Sequence, residues 1–101
     1  MPQPDTKTAT RTRTDIKEPP LFRVIYMNDD TTSIDFVIAS LIEHFDYTTE
    51  SAEKIAADIH QSGAAVVAVL PYELGEQKGI EITIAARAEG YPLQIKLEPN
   101  L

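Results

Sequence analysis

The chain has 101 residues, nine basic against sixteen acidic side chains, a formal net charge of −7 and no cysteine. That length suits one domain with a modest core; the missing cysteines exclude disulfides, thiolate metal sites and a cysteine nucleophile, and the acidic balance argues against a nucleic-acid binder, whose affinity rests on Lys and Arg against phosphates. No apolar run approaches a membrane span, and Met1-Pro2-Gln3-Pro4-Asp5 has neither the basic flank nor the apolar stretch of a signal peptide, so a cytoplasmic protein with no membrane contact is expected.

Residues 1–18 carry Lys7, Arg11, Arg13 and Lys17 against Asp5, Asp15 and Glu18, and after Met1 they hold no large apolar residue before Ile16. Such a stretch has nothing to bury and reads as a disordered extension. Pro19-Pro20 marks the hinge into a folded part, residues 19–101, which holds five basic and thirteen acidic side chains. Leu21 to Met27 is rich in β-formers and reads as a strand buried largely on both faces. Ile34, Val37, Ile38, Leu41, Ile42 and Phe45 fall at helical spacing, and Thr32 or Ser33 can cap that helix. A second helix from about Thr49 uses Ala52, Ile55, Ala56 and Ile59 and stops at Gly63. Ala64 to Leu70 reads as a buried strand. Pro71 opens a third helix that Gly90 and Pro92 close; Gly75 and Gly79 inside it each cost ~1 kcal/mol relative to Ala. Leu93, Ile95 and Leu97 alternate with polar residues as a last strand. The order β-α-α-β-α-β, without internal repeat, predicts an α+β single domain in which a three-stranded antiparallel sheet packs against three helices.

The chemistry concentrates in Tyr26-Met27-Asn28-Asp29-Asp30-Thr31-Thr32, where a carboxamide and two carboxylates sit on one strand-to-helix turn and His60 can fold back to join them. Such a cluster suits a cation. One candidate is a metal ion, with Asp29, Asp30 and His60 as ligands, although no HExxH or comparable local pair supports it. The other is a primary ammonium, which has three donors and no acceptor and is best met by a carboxamide oxygen, a carboxylate and an imidazole nitrogen. A blander reading makes the triplet a turn and helix-entry device, since Asn and Asp bond their own backbone, and leaves His60 as a surface histidine near a helix end. Glu73 and Lys78, five residues apart and roughly 140° around a helix, read alone as solvated surface, and His44 receives no role.

A wider pattern bears on that choice. The string Phe22-Arg23-Val24-Ile25-Tyr26-Met27-Asn28-Asp29-Asp30, followed by Thr32, Phe36 and Val37 and later by His60-Gln61-Ser62-Gly63 before a strand of small residues, resembles the ClpS adaptor family. The resemblance runs from about Pro19 to Glu98 and includes Glu73, Lys78 and Pro92-Leu93. It implies a monomeric adaptor, with no enzymatic activity, cofactor or metal, that binds proteins beginning with a large hydrophobic residue (an N-degron) and hands them to a ClpA- or ClpC-type unfoldase. Carried over by position, Asn28, Asp29 and His60 contact the substrate's α-amino group and first peptide bond. Asp30 and Thr32 shape the turn; Ile34, Val37, Ala56, Ile59 and Leu93 line the pocket for the first side chain; Glu73 and Lys78 dock on the unfoldase's N-terminal domain. Ile34 stands where the family commonly has methionine, Ala56 where a larger apolar residue is frequent, Tyr26 where an aliphatic is common, and Ser33 where proline often sits. The amine end is thus intact and the pocket walls differ. The alternative is a paralogue or docking module that modulates the unfoldase with altered or no N-degron specificity.

Overall fold

A computed structural model describes residues 19–101; the extension expected over residues 1–18 lies outside them. Six elements follow in the expected order: β1 (Leu21–Met27), α1 (Ile34–Phe45), α2 (Thr49–Ser62), β2 (Ala64–Pro71), α3 (Tyr72–Ala88) and β3 (Gln94–Pro99). The strands form one antiparallel sheet in the order β2-β1-β3, so the first strand is central. Val24 and Tyr26, two residues apart and both fully buried, point to one face. There they join Val37 and Leu41 of α1, Ala52, Ala56 and Ile59 of α2, and Ile82 and Ala86 of α3 in a single core.

The strands are buried on one face only, which corrects the expectation for both apolar runs. Val66 and Val69 of β2 are each 41% exposed while Val67 is 4% exposed, and in β1 Arg23, Ile25 and Met27 are only half-buried. All three helices contribute to the core on the Val24–Tyr26 side, so the opposite face is left to solvent and to polar pairs such as Arg23 Nη2 with Glu98 Oε1 at 3.1 Å. An antiparallel sheet tolerates this arrangement because its ladder needs no second covering layer. The pairing of β1 with β2 also slips by one residue: Val24 faces Ala68 but Ile25 faces Val66. Val67 is the extra residue of this bulge, and its carbonyl accepts from the Tyr47 hydroxyl at 2.6 Å.

Helix ends follow local chemistry. Ser33, rather than Thr32, caps α1, its hydroxyl accepting from the Phe36 N–H at 3.1 Å, and Thr48 caps α2 by accepting from Ser51 at 3.1 Å. Gly63 ends α2 at φ 88°, a left-handed conformation that costs glycine little. One polar pair is sealed within the core. The Ser40 hydroxyl donates to the Val37 carbonyl at 2.8 Å, so its oxygen receives the Tyr26 hydroxyl, also at 2.8 Å. Burial pushes the Tyr26 phenol up to about 12 against the opposing effect of the Ser40 bond.

The glycines of α3 let that helix lie close on the sheet. A Cβ at Gly75 would stand 3.1 Å from Leu97 Cδ2 and 3.4 Å from Val24 Cγ2, whereas at Gly79 the nearest atom is Ile95 Cγ2 at 3.7 Å. Gly79→Ala is therefore expected to raise unfolding stability by up to about 1 kcal/mol through helix propensity. Gly75→Ala should gain less or lose, because Leu97 must shift. Urea midpoints at unchanged m-value test the pair; an equal gain at both positions would remove close packing as the reason for Gly75.

Candidate functional site

Where β1 ends, the Asn28 N–H donates to the Gly63 carbonyl at 2.9 Å, while the Gly63 N–H donates back to Ile59 at 2.9 Å. The two bonds hold the start of the β1–α1 turn against the end of α2 and bring His60 to the turn. Within the turn the Asp29 carboxylate folds back on its own chain. Its Oδ1 accepts from the Thr31 N–H at 2.8 Å and the Thr32 N–H at 2.6 Å, and its Oδ2 accepts from the Thr32 hydroxyl at 2.8 Å. Partial burial alone would raise the Asp29 pKa; the bonds from Thr32 and Thr31, together with the positive charge of Arg87, outweigh that effect and hold it below the ordinary 3.8. Asp29 thus stays ionised, with lone-pair capacity left on Oδ2 for a further donor.

The turn opens onto a cavity of about 410 Å³. Asn28, Asp29, Asp30, Thr32 and His60 supply its polar lining, and Ile34, Val37, Ala56 and Ile59 its apolar lining. Val37, Ala56 and Ile59 are buried and make a floor, while Ile34 is 53% exposed and stands at the rim. Sequence reasoning brings these nine residues to one place, and they meet there. Leu93 is not among these lining residues; it is 1% exposed and packs in the core, where the loop after α3 leads into β3. The turn is shaped chiefly by Asp29 and Thr32; Asp30 is exposed. Among the described residues no group of three or more His, Asp and Glu side chains is placed to hold a metal ion, so Asp29, Asp30 and His60 do not form the ligand set considered for zinc or manganese.

Glu73 and Lys78 stand apart from this cavity. Glu73 is exposed beside a second, apolar groove lined by Pro19, Pro20, Phe22, Pro71 and Tyr72, and the Lys78 ammonium lies 5.7 Å from the centre of the Phe45 ring. His44 faces Glu81 at 3.7 Å. Arg87 was not singled out from sequence, since nothing local connects a basic residue in the last turn of α3 with a carboxylate after β1. No described helix is long and apolar enough to cross a membrane.

The family model for the ATP-dependent Clp protease adaptor protein ClpS matches residues 17–96. The ATP-dependent Clp protease adapter protein ClpS 1 of Bradyrhizobium diazoefficiens is 43% identical over 95 residues, covering 94% of this chain and 94% of that protein. The corresponding ClpS of Deinococcus radiodurans is 37% identical over 99 residues, covering 98% of this chain and 88% of its own length. Among solved structures, Agrobacterium tumefaciens ClpS2 bound to L-phenylalaninamide superposes with a TM-score of 0.79 at 31% identity, covering 82% of this chain and all of the other.

The Asp29 geometry carries a pH expectation. A carboxyl whose folded-state pKa is depressed adds stability that is fully present above its unfolded value, about 3.9, and is lost as pH falls through the lower folded value. Asp29→Asn should therefore lower stability at neutral pH and make little difference at the acid end of that window. Unfolding of both proteins across pH 2 to 7 (approximate limits set by the carboxyl range), with the Asp29 13Cγ titration, measures this; a titration midpoint above the ordinary carboxylate value would refute it.

Proposed function

This chain belongs to the ClpS family of Clp protease adaptors, and from that premise we propose that it binds proteins whose first residue is a large hydrophobic one and delivers them to a ClpA- or ClpC-type unfoldase. The observation that carries this reading is the junction, in one cavity, of ammonium acceptors with an apolar hole. An α-ammonium offers three donors, and Asn28, Asp29 and His60, which line the cavity, carry a carboxamide oxygen, a carboxylate and an imidazole to receive them. Internal residues of a polypeptide offer no ammonium on the backbone, so such a site selects a chain end. The floor of Val37, Ala56 and Ile59 then takes the first side chain. The ligand of the Agrobacterium protein is apt support, because phenylalaninamide combines an α-amine, a large apolar side chain and a carboxamide standing for the first peptide bond.

Magnitudes suit a carrier. Burying one large side chain contributes roughly 1.5–3 kcal/mol and each charge-assisted hydrogen bond roughly 1.5–3 kcal/mol. After association losses these reach the micromolar range, about −8 kcal/mol. Glu73 and Lys78, away from the cavity, are the residues assigned to unfoldase docking, which leaves the cargo site free during hand-over.

Two experiments follow. Acetylating the N-terminus of a Phe-initiated peptide removes charge and donors together and should abolish binding, and Asp29→Ala and His60→Ala should each weaken it strongly. Equal anisotropy curves for the acetylated and free peptides would rule the mechanism out and favour a docking module without cargo. The second concerns Ile34 at the rim: isoleucine is stiff at χ1 and crowded near its backbone, so Val- and Ile-initiated peptides should bind poorly beside Phe-, Leu-, Trp- and Tyr-initiated ones. Ile34→Ala should admit the branched residues; unchanged rejection of both would remove Ile34 from the gate.

A further inference from the structure

Arg87 lies in the last turn of α3, and its guanidinium reaches past the helix end. One nitrogen, Nη1, donates to the Tyr91 carbonyl at 2.7 Å and to the Leu93 carbonyl at 3.0 Å. Between Arg87 and these acceptors the chain reverses at Gly90, φ 81°, so the side chain spans its own loop and fixes both ends of the Tyr91–Leu93 segment. That segment touches the cavity's supports. The Tyr91 ring meets Phe36 edge-on with centroids 5.5 Å apart, and Phe36 precedes the floor residue Val37 and donates its N–H to the Ser33 cap. Leu93 is sealed in the core below. Arg87 also contributes a positive charge that acts on Asp29, in a folded part where acidic side chains outnumber basic ones thirteen to five.

We propose that Arg87 is a positioning residue of the cavity, clamping the Tyr91–Leu93 loop that braces the first turn of α1. The inference rests on the N-degron reading for what the site binds. It assigns Arg87 no contact with cargo. The Arg87 charge also repels an incoming ammonium, so the sign of its net effect on affinity decides the matter: a clamp strengthens binding, whereas simple repulsion weakens it.

Two substitutions separate these effects. Arg87→Met keeps length and packing and removes charge and donors; Arg87→Lys keeps the charge on a shorter reach. For both and for the parent chain, affinity for a Phe-initiated peptide is read by anisotropy, thermal melting is recorded, and the 13Cγ titration of Asp29 is followed together with Asp30 and His60, the other ionisable groups on the cavity. The expected result for Arg87→Met is a loss of affinity of about tenfold as the released loop loosens the first turn of α1, with a raised Asp29 midpoint beside it. Arg87→Lys should leave Asp29 as in the parent and restore part of the affinity. Binding by Arg87→Met that equals or exceeds the parent's overturns the proposal. Should Arg87→Met fail to fold, Arg87→Gln, whose amide nitrogen is two atoms short of the guanidinium Nη1, is judged by the same affinity criterion. If the parent chain does not bind the peptide, the N-degron reading fails; if the parent binds and Arg87→Met binds no worse, the role of Arg87 fails.

Discussion

Gly63 is the joint on which the site depends. Its N–H closes the end of α2 on Ile59 and its carbonyl receives the Asn28 N–H at the end of β1, so one residue in a left-handed conformation ends a helix and extends a strand ladder. From that joint the remaining geometry follows. His60 lies one turn back along α2, Asp29 and Thr32 close the turn that leaves Asn28, and Ser33 launches α1 with Val37 facing Ala56 and Ile59 of its neighbour across the cavity floor.

Much of this was legible in the chain because its signals are local. Apolar residues at spacings of three and four located α1 and α2, Pro71 and Gly90 bounded α3, and the carboxylate-rich turn with His60 marked the cavity. What was not legible depends on partners distant in sequence. Whether an apolar strand is covered on one face or two is decided by where helices pack, and Val66 and Val69 are open because none of the described helices crosses them. Leu93, which the family resemblance places among the pocket residues, sits in the core just behind the loop that Arg87 ties down. Asp29 had two competing readings, a turn device and an ammonium acceptor. The structure gives it the first through Thr31 and Thr32 without exhausting the second, since a carboxylate has more lone pairs than the turn uses.

That sharing has a physical merit. A carboxylate that must meet a cation loses less on binding if its orientation is already fixed, since ordering a free side chain costs about 0.5–1.5 kcal/mol. The backbone amides of Thr31 and Thr32 fix it, and they also favour the ionised form. A fixed, ionised acceptor on the cavity is thus ready for a cation before one arrives, and less of the interaction is lost to ordering the site.

The bulge in β2 has a consequence for the solubility of the domain. β2 is an edge strand, and its sequence Ala-Ala-Val-Val-Ala-Val-Leu-Pro has the apolar, uncharged, β-prone composition from which cross-β stacks grow. The register slip at Val67, the Tyr47 hydroxyl on its carbonyl and the closing Pro71 interrupt the row of free backbone groups that another chain would need as a template. The segment that supplies the fold with its longest strand, open on one face, is thereby kept from recruiting copies of itself.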